Sequence, residues 1–253
     1  NNRGRMMKSK SFLKIAASAA IVAGGLAMGA GSERAVQAAT DSSGKLASKA
    51  REIEKLLAKR KTDKAIVQAE KLVAASPSDA RFRMLLGQAY LQAGRFKAAS
   101  TSFSDVMRLA PGHDRAALNY ALAQIALGRS DSALGVLEDN RDGLKPADYG
   151  LAVALAGNVS EGVSILEAAA RGENADARTR QNLALAYALS GKWIESRTVM
   201  SQDLSPDLVD ARIIEWASFV RPKASWDQVA SLLKVTPTYD PGQPTALALN
   251  ESG

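Results

Sequence analysis

The chain has 253 residues, enough for one or two domains. It holds no cysteine, which excludes disulfides, thiolate metal sites, cysteine nucleophiles and a lipidated cysteine behind a leader. Most of the net charge of +7 sits at the N-terminus: residues 1–39 hold six of 33 basic residues and one of 26 acidic ones, leaving 27 against 25, so no basic stripe marks a nucleic-acid partner.

Lys8, Lys10 and Lys14 precede an apolar run at 15–30 (IAASAAIVAGGLAMGA), and Val36-Gln37-Ala38 follows with small residues spaced for cleavage. Positive start, short apolar stretch and small-residue site predict a signal peptide over 1–39, cut after Ala38 or Ala39. The alternative is an uncleaved N-terminal membrane anchor. The run is short and rich in Ala and Gly, which makes it a poor spanning helix. Cleavage predicts an exported, periplasmic protein.

Residues 40–44 (TDSSG) read as a polar linker, and a helix is predicted over 45–59. Asp63 is placed to cap a helix over 64–75 that turns Ala65, Ala69 and Leu72 inward before Pro77 stops it. The next unit is the clearest. Leu86, Gly87 and Tyr90 share one helix, Gly94 suits the left-handed position past its end, and Ala99, Phe103 and Val106 share the next helix before Pro111. Pro111 lies 34 residues after Pro77, and Gly128 lies 34 after Gly94. Gly157 comes after 29 and Gly191 after a further 34, so the third unit is short by about one helical turn. Tyr120, Ala121, Gln124 and Ala133 mark the third unit. Tyr149, Gly150, Gly162 and Leu166 mark the fourth; Leu183, Ala184, Tyr187, Ser196 and Met200 mark the fifth. His113 sits in the turn between the second and third units, where a solvated turn residue is the expected reading. After Ser205-Pro206 the period is lost. Helices predicted at 207–220 and 226–234 would close the stack, with Trp216 and Trp226 as anchors, and 236–253 reads as an extended tail.

The pattern L-G-x2-Y…A-x3-F…P at Leu86, Gly87, Tyr90, Ala99, Phe103 and Pro111 resembles the tetratricopeptide repeat, with Arg83 standing at the usual Trp position. The resemblance implies an all-α fold: a right-handed α-solenoid of about five helix pairs over 45–205, with a C-terminal capping helix pair over 206–235. In such stacks the first helices line a concave face. In peptide-binding members of the family, basic residues early in the first helix hold carboxylates and an Asn holds the ligand backbone. The resemblance carries these roles to Arg81, Arg115, Asn119, Arg178 and Asn182, with Gln88 and Gln181 on the same face. The alternative for the Arg side chains is simple solvation. For the Asn residues it is a bond to the neighbouring repeat. Met84 and Trp193 read as core or inter-repeat contacts.

No nucleophile elbow, phosphate loop, HExxH or paired carboxylate frame appears, so no enzyme activity, cofactor, metal or small-molecule substrate is expected. The segments NLALAYALSGKW, DARIIEWASF, WDQVASLL and DPGQP, in that order over 182–244, resemble alphaproteobacterial envelope repeat proteins, which often continue into a peptidoglycan-binding SPOR domain. No such domain lies in these residues, so its function is not carried over. The expectation is a non-catalytic scaffold in the cell envelope that binds a protein or peptide in its groove, in peptidoglycan or cell-division work. The alternative is an assembly factor for a tight-adherence pilus, against which the missing Cys argues. An exposed end of the stack leaves self-association open.

Overall fold

The computed structural model describes the backbone of residues 33–249, with side chains from Ser43 onward except that of Phe219. The apolar run at 15–30 and the lysines before it lie outside the described residues. The chain divides into units 1–47 and 48–253. In the first, residues 33–47 are helical, including 40–44, which composition alone reads as a linker.

Twelve α-helices succeed one another, and no strand occurs among the described residues. They are α1 (Glu33–Ala58), α2 (Thr62–Ala75), α3 (Ala80–Gln92), α4 (Phe96–Leu109), α5 (Asp114–Ala126), α6 (Ser130–Asp139), α7 (Pro146–Leu155), α8 (Val159–Arg171), α9 (Ala177–Leu189), α10 (Trp193–Met200), α11 (Pro206–Phe219) and α12 (Asp227–Leu233). The first ten form five pairs. The shortened third unit is visible as a ten-residue α6 and then a 3₁₀ turn at Arg141–Gly143.

Each pair turns through one left-handed residue: Gly94, Gly128, Gly157 and Gly191 have positive φ, and Arg60 takes the same conformation at φ 53 one period before Gly94. Within a pair the helices meet through small residues. A Cβ on Gly87 would lie 2.6 Å from the Phe103 ring, so only glycine admits that ring between α3 and α4. Asp79 caps α3 and Asp176 caps α9 through the N–H groups of Arg81 and Thr179. His113 is also a cap, its Nδ1 accepting from Ala116 N at 3.2 Å, and is therefore more than a solvated turn residue. Asp63 does not cap α2: the helix begins at Thr62, two residues earlier than expected, the N-cap position falls on Lys61, and Asp63 lies in the first turn.

Two polar devices brace the stack, the first between neighbouring repeats and the second within the pair α3–α4. Glu70, Glu138 and Glu167 each stand ten residues after a turn residue. They accept the hydroxyls of Tyr90, Tyr149 and Tyr187, on the first helix of the next repeat, at 2.6, 2.7 and 2.8 Å. Burial and the carboxylate push the Tyr149 and Tyr187 phenols up to about 12, and shift Tyr90 in the same direction. The second device is Arg83. At the usual Trp position it is 0% exposed and pairs with Asp105 at 2.5 Å, while its Nε donates to Pro77 O. Burial pushes the Asp105 carboxyl up and the Arg83 guanidinium down, and their mutual attraction offsets this only in part.

The end of the chain folds back over the repeats. α11 lies on α9 and α10, with Trp216 buried; α12 touches α11 but packs on α5. Trp226 is 45% exposed and anchors little. Residues 236–249, read from sequence as a tail, are a docked strap. Thr238 donates to Ala93 O through its hydroxyl, and Asp240 Oδ2 accepts from Lys97 N and Ala98 N at 2.6 and 3.1 Å. Arg95 donates to Gly242 O and Ser102 to Gln243 Oε1. Leu247 is buried, and its carbonyl accepts from Arg83.

Candidate functional site: the inner strip of the first helices

The first helices α5, α7 and α9 pack on one another in series, as the inner row of such a stack does. Helical spacing of three and four places Arg115, Leu118, Leu122 and Ile125 on one strip of α5. The equivalent strip holds Arg81, Met84, Gln88 and Leu91 on α3, and Arg178, Gln181, Leu185 and Ala188 on α9. It differs from the Leu86–Gly87–Tyr90 and Tyr120–Ala121–Gln124 strips, which the repeat pattern turns towards the partner helix. The inner strip is mainly apolar: Met84, Leu91, Leu118, Leu122, Ile125 and Leu185 are all buried.

The polar residues expected to line the groove divide four ways. Arg81 is exposed, with 77% of its side chain accessible, and forks onto its own cap residue Asp79 through Nε at 3.1 Å and Nη2 at 2.7 Å. Burial raises the Asp79 carboxyl, but the Arg81 side chain, backbone N–H and charge outweigh it and hold it below the usual carboxylate value. Gln88, Arg115 and Gln181 are half-buried along the strip. Arg178 and Asn182 are committed to the neighbouring repeat. Arg178 pairs with Asp148 at 2.5 Å, and Asn182 Nδ2 donates to Ala147 O at 3.0 Å. Burial pushes Asp148 up, and Arg178, the first charge that counters it, does so only in part. Asn119 is 1% exposed, and its Oδ1 has no partner among the described residues. Such a buried acceptor costs stability unless a donor reaches it.

The sequence reading puts polar Arg, Asn and Gln side chains at these positions and does not identify the apolar strip. Its signal was present in the spacing of Leu118, Leu122 and Ile125, but that spacing alone does not separate an inner face from core. Among the described residues, no cluster of His, Asp and Glu could hold a metal ion, and no helix is long and apolar enough to cross a membrane.

The family profile described as anaphase-promoting complex, cyclosome, subunit 3 matches residues 58–140, less than half of the chain. No protein of curated function matches. Among solved structures, MamA 41-end from Desulfovibrio magneticus RS-1 is similar at 16% identity and TM-score 0.50, covering 69% of this chain and 96% of that one. A second MamA structure is 19% identical with TM-score 0.49, covering 63% and 96%. YrrB, described as a TPR protein with an unusual peptide-binding site, is 16% identical with TM-score 0.43, covering 70% and 87%. At these identities the similarity is one of fold.

Proposed function

We propose that the chain, whose fold is that of the tetratricopeptide-repeat solenoids, is a non-catalytic interaction scaffold of the cell envelope, binding a segment of a partner protein along the inner strip of its first helices. The observation that carries this reading is the apolar strip along α5 and α9, with half-buried Arg115 and Gln181 on it and half-buried Gln88 at the equivalent place on α3. An apolar strip with a few polar groups at its border fits a peptide: burial supplies the affinity and the polar groups fix its direction. Arg81 has two donors already engaged by Asp79, so it adds a weakly held positive charge at the rim. The envelope location rests on the lysines, apolar run and small residues of 1–39.

The test is photo-crosslinking from a benzoyl-phenylalanine placed at Gln88 or Gln181, against one placed at exposed Lys71 or Thr101 on the second helices. The expected result is a discrete partner adduct from the inner positions alone. Adducts of equal yield from the outer positions, or none from the inner ones, would remove the reading. For the location, N-terminal sequencing of the exported protein is expected to start at Ala39 or Thr40; a start upstream of Ala35 would contradict cleavage.

A further inference from the structure

Four helices pack on α5: α4, α6, α7 and α12. α12 has only seven residues and buries only Val229 and Ala230 fully. A helix of that length is not stable in water by itself. It is held at its two ends. At the start, Ser225 Oγ donates to Ala126 O at 2.9 Å, at the end of α5. At the finish, Arg60 donates to Leu233 O and Lys234 O at 3.0 and 2.7 Å, at the turn before α2. Beyond Lys234 the strap is fixed in turn, through Asp240 on the first turn of α4 and Gln243 on Ser102. The strap passes so close to Gly94 that any Cβ there would collide with Thr236 O. α12 is thus a weakly folded helix pinned across a first helix by contacts outside itself.

We propose that α12 occupies in cis the part of the inner strip carried by α5, that residues 234–247 are the latch that keeps it there, and that the partner replacing it is a short amphipathic helix with apolar residues at the spacing of Val229, Ala230 and Leu233. This rests on the groove reading above and names its partner class and its control. The strip of α5 suits such a helix: Leu118, Leu122 and Ile125 are apolar, and Asn119 Oδ1 is a buried acceptor that a donor could satisfy. A tethered occupant acts at high effective concentration, so a free helix binds poorly until the latch opens. Opening then raises its apparent affinity by the gain in binding-competent population.

The probe is a fluorescent peptide of residues 222–235, read by anisotropy against the full chain. Wild type is expected to bind it weakly. Asp240→Ala with Gln243→Ala, which frees the latch, is expected to bind about tenfold more tightly. Val229→Asp, which ejects α12 and leaves the latch intact, is expected to do the same, so the test survives if the latch variant folds poorly. A lock completes it. Ser225 Cβ lies 3.3 Å from the position of a Cβ on Gly128, and the chain has no cysteine of its own. Gly128→Cys with Ser225→Cys, oxidised in the Asp240→Ala background, is expected to abolish probe binding, and reduction to restore it. Equal binding by all variants, or no binding by either opened variant, overturns the proposal. Crosslinks from Gln88 and Gln181 to a partner that are indifferent to the lock overturn it too, while leaving the groove reading in place.

Discussion

Asp240 is the residue on which the return of the chain turns, and Asp240→Ala has a calculable cost. α4 begins without a side-chain cap of its own: Arg95, at the N-cap position, supplies none. Asp240 fills that role from the far end of the sequence, accepting from Lys97 N at 2.6 Å and Ala98 N at 3.1 Å, and it also accepts from Gly242 N at 2.9 Å, which shapes the strap. Loss of a helix cap costs about 0.5–2 kcal/mol. A charged acceptor at the positive end of a helix belongs near the top of that range, at about 2 kcal/mol. For a chain of this size each kcal/mol lowers Tm by roughly 2–4 °C, so Asp240→Ala is expected to lower it by roughly 4–8 °C. Asp240→Asn keeps an acceptor and loses the charge, and is expected to cost about half as much. Thermal melts monitored by circular dichroism measure the first number. Amide exchange at Lys97 and Ala98 measures the cause. A Tm within about 1 °C of wild type, with exchange at those two amides unchanged, would refute the reasoning.

Three further outcomes are expected. Arg83→Ala strands the Asp105 carboxylate and costs about 3–5 kcal/mol in urea unfolding, whereas Arg83→Met with Asp105→Leu recovers most of it; a double variant as unstable as the single one would show that the pair itself is net stabilising. Gly87→Ala drives a methyl into the Phe103 ring and costs about 1–3 kcal/mol, against a gain for the same exchange at the open position Gly135. Asp148 is raised in the folded state by burial, so its contribution is fully present below the unfolded value of 3.8 and is lost as pH rises through the folded value. Wild type should therefore lose Tm relative to Asp148→Asn as pH climbs above 3.8; a wild type that gains on the variant over that window contradicts the burial argument.

The repeat was readable from residues with a single mechanical use. Glycine at Gly94, Gly128, Gly157 and Gly191 marks turns because other residues are strained there, and the 29-residue step foretold a short α6. The first turn escaped because Arg60 accepts the strain, which no composition rule foresees. Residues 40–44 look like a linker by propensity, yet they continue α1. The strap was hidden for a different reason. Asp240, Gln243 and Leu247 act on residues some 140 to 160 positions away, and nothing local in a Pro-rich segment marks its partner. At the site, position counting places Arg178 and Asn182 on a first helix and leaves a bond to the neighbouring repeat open for Asn182, which Ala147 O accepts, but it does not foretell that Asp148 claims Arg178. Whether a polar side chain meets a ligand or the next repeat depends on packing between repeats, to which the sequence period is blind.

The central question is which helices meet the partner. Hydrogen exchange of the full chain, with and without the crosslink-identified partner, measures this directly. Protection is predicted on α3, α5, α7 and α9, with faster exchange in α12 as it is displaced. Protection confined to α4, α6 and α8, with α12 unchanged, would contradict it.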